Sequence, residues 1–263
     1  MPTDVQAHAS GRGTIFDNVA EEYDSLRPGY PRELVSYVLT CAALPKDGAI
    51  LEVGCGSGQA TRLFAGRARR MVCVEAGLRM AALAAQNLAE FPHVSIENAR
   101  FEEWPLQPGA FHLVIAAQSF HWVDPEVGYQ RAARCLRPGG ALALFWNRPL
   151  GAAPALRAAL DAAYERHAPE LSRKNVPREM PWVPEAIDRS ERFEPVEIRR
   201  FPWTDRRDAD SYARLVATHS DHAALPDSQR RVLLADIRDT IERFGGQIAV
   251  EHYTLLFLAR RKP

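Results

Sequence analysis

The 263-residue sequence predicts an α/β protein built on a doubly wound parallel sheet. Three observations predict it. Short apolar runs alternate with stretches of helical periodicity from residue 49 to residue 146. The runs are apolar at nearly every position, as strands covered by helices on both faces must be. The first run passes through three alternating glycines, Gly54, Gly56 and Gly58, straight into a helix. Strand, glycine turn and helix start together form the geometry of a nucleotide-type cofactor site.

Taken in order, residues 1–14 are small and polar and read as a frayed end. Phe16, Val19, Ala20 and Tyr23 share one helical face. Pro28 and Pro31 break that helix. Pro31 opens the next one, which carries Leu34, Val35, Val38 and Leu39 and stops before Pro45. Asp47 and Gly48 turn the chain into a strand at 49–53. A helix at 59–68 leads to a second strand at 71–74, ended by Glu75. An alanine-rich helix at 78–89, a strand at 93–96 and an irregular link at 97–110 follow. Residues 111–117 are a fourth strand and 125–136 a helix. RPGG at 137–140 reads as a turn into a fifth strand at 141–146.

After Asn147 the texture changes. Residues 148–193 are rich in Pro, Arg and Ala, with a helix at 156–167 and a loop at 180–184. Residues 193–203 read as a strand, 209–218 and 228–244 as helices, and 250–259 as a last strand. Gly245-Gly246 closes the second of those helices. The expected division is a helical cap at 1–45, a cofactor-binding core at 46–147, a substrate-side insertion at 148–245 and a completing strand at 246–263.

Composition narrows the function. Lys plus Arg and Asp plus Glu both number 33, so net charge argues for neither a nucleic-acid nor an anionic-membrane partner. No apolar run is long enough for a membrane span, and the N-terminus lacks the apolar segment of a secretory signal. The four cysteines, at 41, 55, 73 and 135, show no CxxC spacing and read as buried free thiols of a reducing compartment. The expectation is a cytoplasmic protein. The eight histidines form no metal-binding spacing, although His219 and His222 lie three apart on a helix, and no metal is expected.

The central turn carries the chemistry. A dinucleotide fingerprint would place a third glycine where Gln59 stands, which weakens a pyrophosphate reading. Glu52, inside an apolar strand, needs a reason to be there: turn N–H groups to accept from, or a cationic ligand. Glu75 ends the second strand, where an acid is placed to accept from both hydroxyls of an unphosphorylated ribose.

These segments resemble the class I S-adenosylmethionine-dependent methyltransferases, particularly the small-molecule branch of ubiquinone-biosynthesis and trans-aconitate methyltransferases. LEVGCGSG at 51–58 and VCVEAGLRM at 72–80 are similar to the first two motifs of that family. NARFEEWP at 98–105 resembles the adenine segment. FHLVIAAQSFHWVD at 111–124 and LRPGGALALFWN at 136–147 resemble the fourth- and fifth-strand motifs. FDNVAEEYDSLRPGYP at 16–31 resembles the N-terminal cap.

The resemblance implies a Rossmann-like sheet of seven strands, mostly parallel, with the last strand antiparallel. It implies S-adenosyl-L-methionine as cofactor, held by Gly54, Gly56, Gly58, Glu52 and Glu75. Adenine contacts fall at Ala99, Arg100 and Phe101, and Arg100 stands where relatives often carry an acid. Gln118 falls beside the methionyl end or the reacting centre. Tyr23 and Arg27 of the cap reach the cofactor, Arg27 as a bidentate partner for a carboxylate.

His121, between Phe120 and Trp122 at the carboxyl end of a strand, is the candidate base or substrate-positioning group. It also reads as a packing histidine. Tyr30, Trp122, Trp146 and Asn147 are expected on the substrate side. The arginines at 173, 178, 189, 192, 199, 200, 206 and 207 point to an acidic substrate if they face the cleft, and to solvated charge if they do not.

The function expected is methyl transfer to a small molecule, at a carboxylate or a hydroxyl or phenol oxygen, by a monomer or homodimer. A nicotinamide oxidoreductase is disfavoured by Gln59 and by the absence of a Tyr-x-x-x-Lys set. A non-catalytic protein that keeps the fold remains the alternative.

Overall fold

The computed structural model describes Leu26, residues 28–171 and residues 179–263. The expected helix at 15–23, with Tyr23, and the cap residue Arg27 lie outside the described residues, as do Arg173 and Arg178.

Seven strands form one sheet in the order β3-β2-β1-β4-β5-β7-β6. The strands are β1 (Ala49–Val53), β2 (Arg70–Glu75), β3 (Val94–Asn98), β4 (Phe111–Ala117), β5 (Leu136–Gly151), β6 (Glu197–Asp208) and β7 (Gln247–Arg260). The first five are parallel, and β7 is antiparallel to both β5 and β6. The mostly parallel, doubly wound sheet read from the sequence is the sheet observed.

Helices α1 (Arg32–Cys41), α2 (Gln59–Ala65), α3 (Leu78–Asn87) and α4 (Pro125–Cys135) belong to the first half. Helices α5 (Pro154–His167), α6 (Trp182–Arg189), α7 (Ala209–Ala217) and α8 (Asp227–Arg243) belong to the second. The pleat splits the central strands between two cores. Leu142, Leu144 and Trp146 of β5 join Phe120, Tyr129, Val183 and Ile187 on one face. Ala141, Ala143 and Phe145 join Leu34, Val38 and Phe64 on the other. Burial on both faces is why these strands are apolar at every position. A third cluster packs α5, α7 and α8 on the start of β7 through Leu160, Val216, Leu233, Ile237 and Ile248. Among the described residues no helix is long and apolar enough to cross a membrane.

Three expectations are corrected. RPGG at 137–140 is not a turn before β5 but part of it. The strand starts at Leu136 opposite Phe111, is irregular between Phe111 and Leu113, and takes up Gly139 at φ +73°. At its other end β5 runs on to Gly151, because β7 supplies an antiparallel partner all the way to Glu251. The loop at 180–184 contains the start of α6. Pro184 falls in the first turn of that helix, where an N–H would have no intrahelical acceptor and its loss costs nothing.

Candidate cofactor and substrate site

The site forms where β1, β2 and β4 end. After Val53 the chain turns through Gly54 (φ +69°), Gly56 (φ +56°) and Gly58 (φ +92°), and Gly58 precedes α2. Gly54 has no room for a side chain: a Cβ there would lie 2.5 Å from the Ser119 Cβ. Gly56 is the opposite case, with no atom within 4 Å of such a Cβ. The turn is thus pressed against the β4 loop at one glycine and open at the other.

Glu75 organises this turn. Its Oε2 accepts from the Gly56 N–H at 2.8 Å and its Oε1 from the Gly77 N–H at 2.9 Å. The carboxylate is buried beside open space over Gly56.

Glu52 does something else. By the strand period it points to the α2 face, where its Oε2 accepts from Thr61 Oγ1 at 2.7 Å and lies 4.0 Å from Cys73 Sγ. Its Oε1 is buried with no hydrogen-bond partner. Burial, reinforced by the charge of Glu75 and opposed by the Thr61 bond, raises its pKa to about 8. At neutral pH this acid carries its proton. The turn N–H expected to reach Glu52 goes to Glu75 instead.

The adenine segment is corrected in part. The Ala99 N–H is spent on the Glu75 carbonyl at 3.0 Å. The Phe101 ring is buried, 6.4 Å from the rings of Trp104 and Phe120, with the Arg131 guanidinium over it. Phe101 is core, because the irregular link folds its aromatics under α4. Arg100 is half-exposed and pairs with Glu102 at 3.3 Å and Glu103 at 3.7 Å. Its place in the sequence is filled by a local ion-pair group.

Beyond β4, Gln118 adopts φ +57°, a left-handed conformation that a non-glycine residue holds only under constraint. Its N–H donates to the Phe145 carbonyl at 2.9 Å, and the next residue, Ser119, donates its hydroxyl to the Val53 carbonyl. The kink thereby ties β4 to both β1 and β5. It also sets out the short helical turn Phe120–Trp122, in which Phe120 is buried and His121 is exposed. The His121 ring lies 4.6 Å from Trp122 and 6.4 Å from Trp146. The Trp146 indole N–H donates to His121 Nδ1 at 3.2 Å. Trp146 is itself buried between Trp182 and Phe257.

Asn147 is not a lining residue. Its Nδ2 donates to the Gly29 carbonyl at 3.0 Å, and its Oδ1 accepts from Thr254 Oγ1 at 2.7 Å. The odd strand position turns it away from Trp146 and spends its amide on a tie to the segment before α1. Tyr30 of that segment meets Phe145 edge-on at 5.0 Å.

The arginines expected to mark an acidic substrate are mostly engaged elsewhere. Arg189 pairs with Glu126, Arg200 with Glu179 and Arg207 with Asp205. Arg192 donates to Gln130, and Arg199 lies over the Tyr37 ring. The arginine that sequence reasoning missed is Arg148. Its Nε is buried with no hydrogen-bond partner. Alternation from Trp146 was the available signal: two residues on, Arg148 takes the same face of β5.

His219, Asp221 and His222 come together, with ligand-type atoms within 4.8 Å of one another. The His222 nitrogens there already meet the Tyr164 hydroxyl at 2.9 Å and Asp221 at 2.7 Å.

Comparison with known proteins bears on this geometry. A family described as a methyltransferase domain matches residues 51–144. An uncharacterized methyltransferase of Mycobacterium tuberculosis is 33% identical over 132 residues, covering 50% of this chain and 51% of the relative. The chain spans about half the length of the first curated relatives it matches. A solved structure of a putative type II methyltransferase from Anaeromyxobacter dehalogenans superposes with a TM-score of 0.66 at 26% identity, over 90% of this chain and 99% of that one. A phosphoethanolamine N-methyltransferase of Haemonchus contortus, solved with S-adenosyl-L-methionine, shares the fold. Its TM-score is 0.59 at 14% identity, over 96% of this chain and 60% of that one.

The matched segment contains the glycine turn, Glu75, Gln118 and His121. Its geometry fits the cofactor implied by the resemblance. Glu75 offers a buried carboxylate fixed by two backbone N–H groups, and the space over Gly56 is a cradle that any side chain there would fill.

Proposed function

We propose that this chain is an S-adenosylmethionine-dependent methyltransferase acting on a small molecule, at a carboxylate or a hydroxyl or phenol oxygen. The reading includes a cytoplasmic monomer or homodimer with no nucleic-acid partner. Four thiols, all free, suit that compartment.

One observation carries the reading: the buried Glu75 carboxylate at the end of β2, held by two backbone N–H groups beside the open Gly56. Those bonds fix its orientation before any ligand arrives, so no side-chain freedom is lost on binding. Glu75 would take the ribose hydroxyls. Gly54 and Gly56 would let the backbone approach the ribose and the methionyl part. Gln118 would lie against the methionyl end. When bound, the cofactor supplies an electrophilic methyl group. The chain's remaining task is to align the acceptor and exclude water, and the partly exposed rings of Trp122, beside His121, and Trp182, over the buried Trp146, are suited to both.

Calorimetric titration with S-adenosylmethionine, S-adenosylhomocysteine and NAD tests the reading. Binding of the two sulfur compounds, absence of NAD binding, and at least tenfold weakening in Glu75→Ala are expected. No binding of either sulfur compound by the folded protein would overturn the cofactor assignment.

A further inference from the structure

Arg148 stands out because, among the described residues, no acid answers its charge. It is half-buried on β5, and its Nε is sealed from solvent without an acceptor. A buried guanidinium normally has a carboxylate or carbonyl partner, since a buried donor left unmade costs about 1–3 kcal/mol. Among the described residues Arg148 has no ion pair. Desolvation lowers its pKa, yet a guanidinium stays charged at any physiological pH.

Its place is also informative. Phe145 of β5 pairs with Ala117, the last residue of β4. Arg148 therefore stands three residues beyond the carboxyl end of β4, where open α/β sheets bind ligands. It shares a face with Trp146, roughly 7 Å along the strand. Its partner across the antiparallel ladder is Tyr253, buried on that same face.

Trp146 is the link to His121. An indole N–H only donates, so the His121 Nδ1 that it meets at 3.2 Å must be an acceptor. The neutral imidazole then carries its hydrogen on Nε2. In this state His121 presents a donor, and its basic nitrogen is the one covered by Trp146. A histidine so fixed binds oxygen; it does not take a proton from it.

We propose that Arg148 anchors a carboxylate of the methyl acceptor and that His121, held in its Nε2–H form by Trp146, donates a second hydrogen bond to the acceptor. The proposal rests on the methyltransferase reading and narrows its acceptor from any oxygen to an acid. A carboxylate needs no base. Its lone pair forms the bond to the methyl carbon, the bond from that carbon to sulfur breaks with its pair left on sulfur, and no proton moves. One planar guanidinium matches the two oxygens and single charge of a carboxylate, whereas a phosphate dianion would call for more donors. The neighbouring tryptophans favour an acid with a flat apolar body.

The test uses benzoate, phenylacetate and cinnamate, each against its own amide and against phenyl phosphate, titrated calorimetrically with and without saturating S-adenosylhomocysteine. The expected result is at least a tenfold preference for an acid over its amide and over phenyl phosphate. That preference should disappear in Arg148→Met, while S-adenosylhomocysteine affinity stays unchanged. Equal binding of acid and amide, a preference retained in Arg148→Met, stronger binding of phenyl phosphate, or no acid binding at millimolar concentration would each overturn the anchor. Titrations without S-adenosylhomocysteine keep the comparison readable if the cofactor assignment fails.

Long-range nitrogen–proton spectra of ring-labelled protein test His121 separately. The Nε2–H tautomer is expected, with mixed tautomers in Trp146→Phe. An Nδ1–H tautomer in the unmutated protein would overturn the donor role. His121→Gln, which keeps a donor at the Nε2 position, should retain acid binding that His121→Ala loses.

Discussion

Glu52 and Glu75 sit at neighbouring strands and have opposite fates. Glu75 accepts from two backbone N–H groups; Glu52 is buried with one orphaned oxygen and keeps its proton to about pH 8. The unfolded chain gives up that proton near the ordinary value of 4.5. Between those two pH values the folded state binds more protons, so stability falls as pH rises, by about 1.4 kcal/mol per pH unit. Glu52→Gln removes the linkage while keeping an acceptor for Thr61. Urea melts at a series of pH values across that window should slope downward for the native sequence and run flatter for the variant. The sequence revealed that both acids were unusual. It could not separate their roles, because the distinction depends on which face of the sheet each carboxylate takes and which N–H groups are in reach.

At the scale of elements, the glycine turn and the β5 extension are the parts with least tolerance. Ala at position 54 combines a left-handed φ with a Cβ 2.5 Å from Ser119. Gly54→Ala should cost about 2 kcal/mol in denaturant melts and displace the β4 loop, with cofactor binding lost in parallel. The Asn147 tie predicts a different phenotype. Asn147→Ala leaves the Gly29 carbonyl without its donor and the Thr254 hydroxyl, which still accepts from Trp203, without its acceptor, at a cost of about 1–3 kcal/mol. Limited proteolysis should then cut faster around residues 28–30.

The alternation of strand and helix was legible because each short run is apolar throughout. The two ends of β5 were not. Arg-Pro-Gly-Gly has turn chemistry wherever it occurs, and the extension to Gly151 is imposed by β7, about a hundred residues later. For the same reason the sequence carries no local sign of the burial of Arg148, which pairs across that ladder with Tyr253.

Across the whole molecule, the sheet has a graded interior. β1 and β4 lie at its centre, with Ile50, Leu51, Leu113, Val114 and Ile115 fully buried. β6 is an edge strand, with Ile198 about half exposed. Amide exchange should be slowest in β1 and β4 and fastest, among strands, on the outer edge of β6. Slow exchange throughout β6 would mean that this edge is covered in solution. The fold was predictable from periodicity at this scale. The burial of Arg148 was not, because it depends on strand pairings made long after the matched segment ends.

The reach of β5 past β4 has a consequence for divergence. Trp146 and Arg148 are successive same-side rungs of a laddered strand, braced by β7, not tips of a loop. A descendant gene can exchange either side chain without rebuilding the backbone beneath it. Acceptor preference in such a lineage should drift by single replacements at alternate rungs, while the glycine turn and Glu75 stay fixed.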